Sequence, residues 1–75
     1  MEAQAVAYIA AGIGAAGVTF SAAYGISKLA SVAMQGISRQ PEASSEIRGA
    51  MIITAAMIEG VALLSAVICF LLSIK

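Results

Sequence analysis

Residues 53–72 read ITAAMIEGVALLSAVICFLL, a run of small and apolar side chains broken by one charge, Glu59. About 20 apolar residues in helical form cross a hydrocarbon core of roughly 30 Å. The run has that length, so it is expected to span a bilayer as a helix. The carboxyl in its middle is then the residue that needs explaining.

Composition supports a membrane setting. Of 75 residues, 61% are hydrophobic and 11% charged, and the mean hydropathy is +1.00. A soluble unit of this size cannot bury that much apolar surface in its own core. Net charge is zero, so nothing points to nucleic acid or to electrostatic capture of headgroups. With no histidine and one cysteine, Cys69, no metal cluster or intramolecular disulfide is indicated. A lone thiol beside Phe70 reads as an apolar filler.

The eight charges punctuate the chain, and four of them, Arg39, Glu42, Glu46 and Arg48, crowd into RQPEASSEIR at 39–48. That segment holds the only proline, Pro41, and reads as a polar turn. Proline disfavours helix at the residue before it, so the first helix should end near Arg39 or Gln40. Ser44 or Ser45 is expected to cap the next helix, with Glu46 in its first turn. Upstream, residues 3–27 carry no charge over 25 positions, and 49–74 are broken only by Glu59. The expected architecture is all-α, a transmembrane two-helix hairpin. Its helix 1 covers about 3–38, its loop about 39–45 and its helix 2 about 46–74.

Residues 3–27 lack the basic start of a secretory signal and are too long for its core. Arg39, Arg48 and Lys28 lie towards the loop, so the positive-inside rule puts the loop in the cytoplasm and both termini opposite.

The first helix is rich in small residues, among them a row at four-residue spacing, Gly17, Ser21 and Gly25. Lipid supplies no hydrophobic drive for helix association, so close packing of small residues is the usual one. Small residues on several faces suggest a helix crowded by neighbours. The second helix is bulkier, and slim-plus-bulky wedges side by side would close into a ring.

If the hairpin turns near 41–42, positions whose numbers sum to about 83 share a depth. Glu59 then lies level with Tyr24 and Gly25, about 22 Å from the C-terminus and near mid-membrane. Its expected surroundings are Tyr24, Gly25, Ile26, Met57 and Val61, an apolar enclosure with the Tyr24 hydroxyl as a candidate partner. An ionised carboxylate at such depth costs a few kcal/mol on insertion scales (~3), and desolvation favours the neutral acid. Such a group can carry a proton through lipid and release it where water or a positive charge reaches it. The plainer alternative is a hydrogen bond that glues a bundle.

With the loop SRQPEA at 38–43, an acid twenty positions after Arg39, a small-residue first helix and this length, the chain resembles the rotor-ring proteolipid of the F-type ATP synthase, its c-subunit. The resemblance covers nearly the whole chain. The family's alternating glycine motif falls here on Ser21, Ala23, Gly25 and Ser27, small residues of which one is glycine. The resemblance implies a homo-oligomeric ring packed through Gly17, Ser21, Ala23, Gly25 and Ser27, in contact with membrane lipids. It implies a stator with its a-subunit, and a loop, Arg39, Gln40, Pro41 and Glu42, that meets the gamma and epsilon subunits of the central stalk. The chain would be a non-catalytic component without cofactor, in a bacterial plasma (inner) membrane, and the absence of a presequence fits that setting. Sodium-binding relatives carry a glutamine and hydroxyl residues where this chain has Ile26, Gly60 and Val61, so the resemblance implies proton coupling at Glu59. A sodium-coupled ring and a structural or pore-forming hairpin are the competing readings. The related vacuolar-type proteolipids are commonly longer.

Overall fold

The computed structural model describes residues 2–75 and is a hairpin of two long helices. Helix α1 runs Ala3–Arg39 and α2 runs Ser44–Ser73, joined through a 3-10 turn at Pro41–Ala43. Gln40 takes an extended conformation (φ −133°, ψ 74°), as the residue before a proline must to clear its ring. Its N–H still bonds to the Gly36 carbonyl at 2.9 Å, closing α1.

The second helix is not capped as the serines suggest. Its N-cap is Ala43, without a side-chain hydrogen bond, and Ser44 and Ser45 already lie within α2. The 3-10 turn replaces the serine cap: the Ala43 N–H bonds to the Gln40 carbonyl at 2.9 Å, and the Ser44 N–H bonds to that of Pro41. The turn thus takes the amide donors of Ala43 and Ser44 and leads straight into α2, which starts before either serine could stand outside it as a cap. Arg39 in the last turn of α1 and Glu46 in the first turn of α2 complement the two helix dipoles, each by about 0.3–1 kcal/mol.

The molecule measures 59 × 15 × 8 Å, a thin plate one helix thick. Both helices are long and apolar enough to cross a membrane. At 1.5 Å per residue α1 is about 55 Å long, well beyond a core of roughly 30 Å. There is almost no interior: only Ala11 and Ala33 are buried among the described residues, at 5% and 8% exposure. Ile13, Phe20, Met57, Val61 and Leu63 all stand outward. So much apolar surface requires lipid or further chains around it.

What joins the helices is a seam with an eleven-residue repeat. Ala-x-x-Gly occurs three times in α1, at Ala11–Gly14, Ala22–Gly25 and Ala33–Gly36. The glycines face Cys69, Ile58 and Ile47 of α2, also eleven apart. A Cβ added at Gly14 would sit 2.8 Å from Cys69 Sγ. At Gly25 it would lie 3.6 Å from Ile58 Cδ1, and at Gly36 3.3 Å from Ile47 Cδ1. In each pair the numbers sum to 83, so the helices run in constant register. Eleven residues at 100° each drift by only about 20° over three turns. The three notches thus form a nearly straight line, and two straight helices can stay in contact along it.

Candidate functional site

Glu59 follows directly on Ile58, the middle knob of the seam. One residue further along a helix is a rotation of about 100°, which takes the carboxyl off the seam to its flank. There Glu59 lines an open groove of about 340 Å³ with Ala62, Leu63 and Ala66 of α2 and Val18, Thr19, Ala22 and Ala23 of α1. The sequence logic is helical: positions 59, 63 and 66 share one face of α2, and 19 and 23 share one face of α1. Thr19, Leu63 and Ala66 line this groove with Glu59, and depth matching does not identify them. It finds the level of a side chain and not its direction.

The groove is apolar except for two side chains, Glu59 and Thr19. The Thr19 hydroxyl donates to its own helix, to the Ala15 carbonyl at 2.8 Å. Among the described residues no side-chain hydrogen bond reaches Glu59, and the residue is exposed on the hairpin. Fifteen residues separate it from Ser44 and fourteen from Ser73, or about 22 and 21 Å along the axis. It therefore sits midway along α2, the only charge between Arg48 and Lys75.

None of the five expected neighbours lines this groove within one hairpin. Met57 and Val61 line a second groove, of about 400 Å³, on the other flank of the seam with Val18, Ser21, Ala22, Ile58 and Ala62. Gly25 is in the seam against Ile58, and Ile26 is half-buried beside it. Tyr24 is level with Glu59 but stands two residues, about 200°, from seam residue Ala22. Its ring is 65% exposed on the outer face of α1, so the hydroxyl does not meet the carboxyl of its own chain.

The small-residue row is likewise split. Gly25 packs on α2, whereas a Cβ at Gly17 would meet nothing within 4 Å. Ser21 lines the Met57 groove, Ala23 the Glu59 groove, and Ser27 is exposed. Four-residue steps drift about 40° each, so such a row winds off the seam and onto free faces. At the tip, Arg39, Gln40, Pro41 and Glu42 are all exposed.

The chemistry open to this site is limited and specific. The carboxyl stands in a groove whose only other side-chain oxygen is the Thr19 hydroxyl.

Comparison with known proteins converges on one family. The family model described as the ATP synthase C-subunit matches residues 9–72. The chain is 53% identical over 66 residues to the ATP synthase c-subunit of Bacteroides thetaiotaomicron, covering 88% of this chain and 78% of that one. It is 48% identical over 63 residues to the c-subunit of Phocaeicola vulgatus, covering 84% and 75%. Against that of Latilactobacillus sakei it is 40% identical over 65 residues, covering 87% and 93%. No solved structure matches.

Proposed function

The chain belongs to the ATP synthase C-subunit family, and from that premise we propose that it is a proton-carrying rotor subunit whose working group is Glu59. The observation that carries this reading is the placement of Glu59: the one charge of the central part of α2, midway along it, turned into an open lateral groove.

Identical hairpins assemble into a ring. The two flanks of one hairpin differ, one presenting Glu59, Thr19, Ala23 and Leu63, the other Met57, Val61 and Ser21. Unlike faces pair head to tail, and head-to-tail contacts generate rings when the rotation closes. In that arrangement Met57 and Val61 of one copy cover the Glu59 groove of the next, which makes them neighbours of the carboxyl between chains.

Protons reach Glu59 by a half-channel at the a-subunit of the stator. The neutral acid then travels through lipid for most of a revolution. A stator arginine and a second half-channel favour release. A membrane potential supplies about 2.3 kcal/mol per charge per 100 mV, and each passage advances the ring by one hairpin. The exposed tip at residues 39–42 transmits rotation to the gamma and epsilon subunits on the cytoplasmic side, with both termini opposite. The hairpin itself performs no bond chemistry. Proton rather than sodium coupling is supported by the groove lining, where Thr19 is the one side-chain oxygen besides Glu59.

The test is Glu59→Gln in the assembled ATP synthase, in membrane vesicles. The expected result is a ring of normal size and proton pumping reduced to background. A variant that still pumps, or one whose ring fails to form, refutes the proposal, the latter by making Glu59 structural glue.

A further inference from the structure

We propose that the Gly25–Ile58 contact is the device that aims Glu59, so that Gly25 and Ile58 are positioning residues for the proton site. This rests on the proton-carrying reading of Glu59. The three glycine notches lie eleven residues apart, about 16 Å along the axis. Each receives one α2 side chain: Ile47 at Gly36, Ile58 at Gly25 and Cys69 at Gly14. Only the middle contact adjoins the carboxyl.

Two apolar helices in lipid have little to stop one from rotating against the other. The Glu59 and Met57 grooves lie on opposite flanks of the seam, and positions 57 and 59 stand about 100° either side of Ile58. Rotation of α2 by about 100° one way brings Glu59 into the seam, and by about 80° the other way turns it outward to lipid. Ile58 seated at Gly25 opposes both. Its Cδ1 lies 3.6 Å from where a glycine-site Cβ would stand, so a branched side chain at position 25 would occupy its place. Few other charged or titratable groups lie near. α1 brings Lys28, one turn towards the loop and exposed, and Tyr24 on the outer face. α2 brings Cys69 in the seam. The direction of Glu59 is thus set by packing and not by a charge partner.

The experiment follows carbodiimide labelling of Glu59 by mass spectrometry in native membranes, at several values between about pH 6 and pH 9. It compares wild type, Gly25→Val, the compensated pair Gly25→Val with Ile58→Ala, and Gly36→Val. Disulfide cross-linking between cysteines introduced on α1 and α2 shows in parallel that each hairpin is formed. Gly36→Val is the control, because its notch is tighter, 3.3 Å against 3.6 Å, yet it lies eleven residues from the Glu59 level.

Gly25→Val is expected to change the labelling rate at fixed pH about tenfold and to move the profile by about one pH unit. The compensated pair and Gly36→Val should stay within about threefold of wild type. The proposal is overturned if Gly36→Val moves the profile as far as Gly25→Val does, if Gly25→Val leaves it in place, or if removing the Ile58 branch fails to restore it. If wild-type protein is labelled elsewhere and not at Glu59, the proton-carrying reading fails instead, while the cross-links still report whether the contact holds the helices.

Discussion

The tightest glycine notch in the seam invites the most direct test. Gly14→Ala would place a methyl 2.8 Å from Cys69 Sγ, where ordinary carbon–sulfur contact needs about 3.6–4 Å. The shortfall is roughly 1 Å, to be met by rotating the one cysteine torsion or by prising the helices apart. Overpacking of this kind costs about 1–3 kcal/mol. Against it stands the helix propensity of alanine over glycine, a gain of about 1 kcal/mol. Gly14→Ala alone should therefore range from neutral to about 2 kcal/mol destabilising. Shortening the partner by Cys69→Ala removes the sulfur, so in that background Gly14→Ala should become stabilising. The double-mutant cycle should show a coupling of about 1–2 kcal/mol. The assay is unfolding of the hairpin in mixed micelles by increasing denaturing detergent, followed by circular dichroism. The reasoning is refuted if Gly14→Ala is stabilising by its full propensity gain with Cys69 intact, or if the cycle shows no coupling.

Further outcomes follow from the same geometry. Gly25→Ala adds a methyl at 3.6 Å, an ordinary contact, and should raise hairpin stability by up to about 1 kcal/mol in the same assay. Gly17 faces open space, so Gly17→Leu should leave the hairpin formed, up to about 1 kcal/mol more stable, while breaking the ring, read as loss of the oligomer on a mild native gel. An intact oligomer would remove α1's outer face from the ring interface. Sodium at about 100 mM should leave carbodiimide labelling of Glu59 unchanged, because a carboxyl with one hydroxyl beside it offers too few oxygens for a cation shell. Protection by sodium would reassign the ion. Glu42→Lys and Gln40→Ala at the exposed tip should lower ATP-driven pumping severalfold without altering ring size, since a tip contact serves coupling. Equal loss of assembly would make the tip structural.

How much is legible in the residues varies with the kind of question. Apolar runs around RQPE at 39–42, and the proline's grip on Gln40, are enough for two helices and a turn, because hydropathy and backbone restriction act locally. The level of Glu59 is legible too: rise per residue is constant, and the 83-sum taken from the turn recurs in all three glycine contacts. The N-cap of α2 is not. Either a serine cap or a 3-10 turn from Pro41 can start the helix, and nothing local chooses between them. The seam stands in plain view as Ala-x-x-Gly at eleven-residue intervals. The four-residue row through Gly17, Ser21 and Gly25 is the more conspicuous pattern, although it winds off the contact.

The residues alone dictate a membrane hairpin with an acid at its midpoint, because length, hydropathy and turn chemistry are properties of segments. Which way that acid points depends on the packing of α1 against α2, which turns it onto a flank with Thr19 and Leu63 and away from Tyr24, Met57 and Val61. Direction around a helix follows from which residues of the partner act as notches. At 100° per residue, a single position separates Ile58 in the seam from Glu59 in the groove.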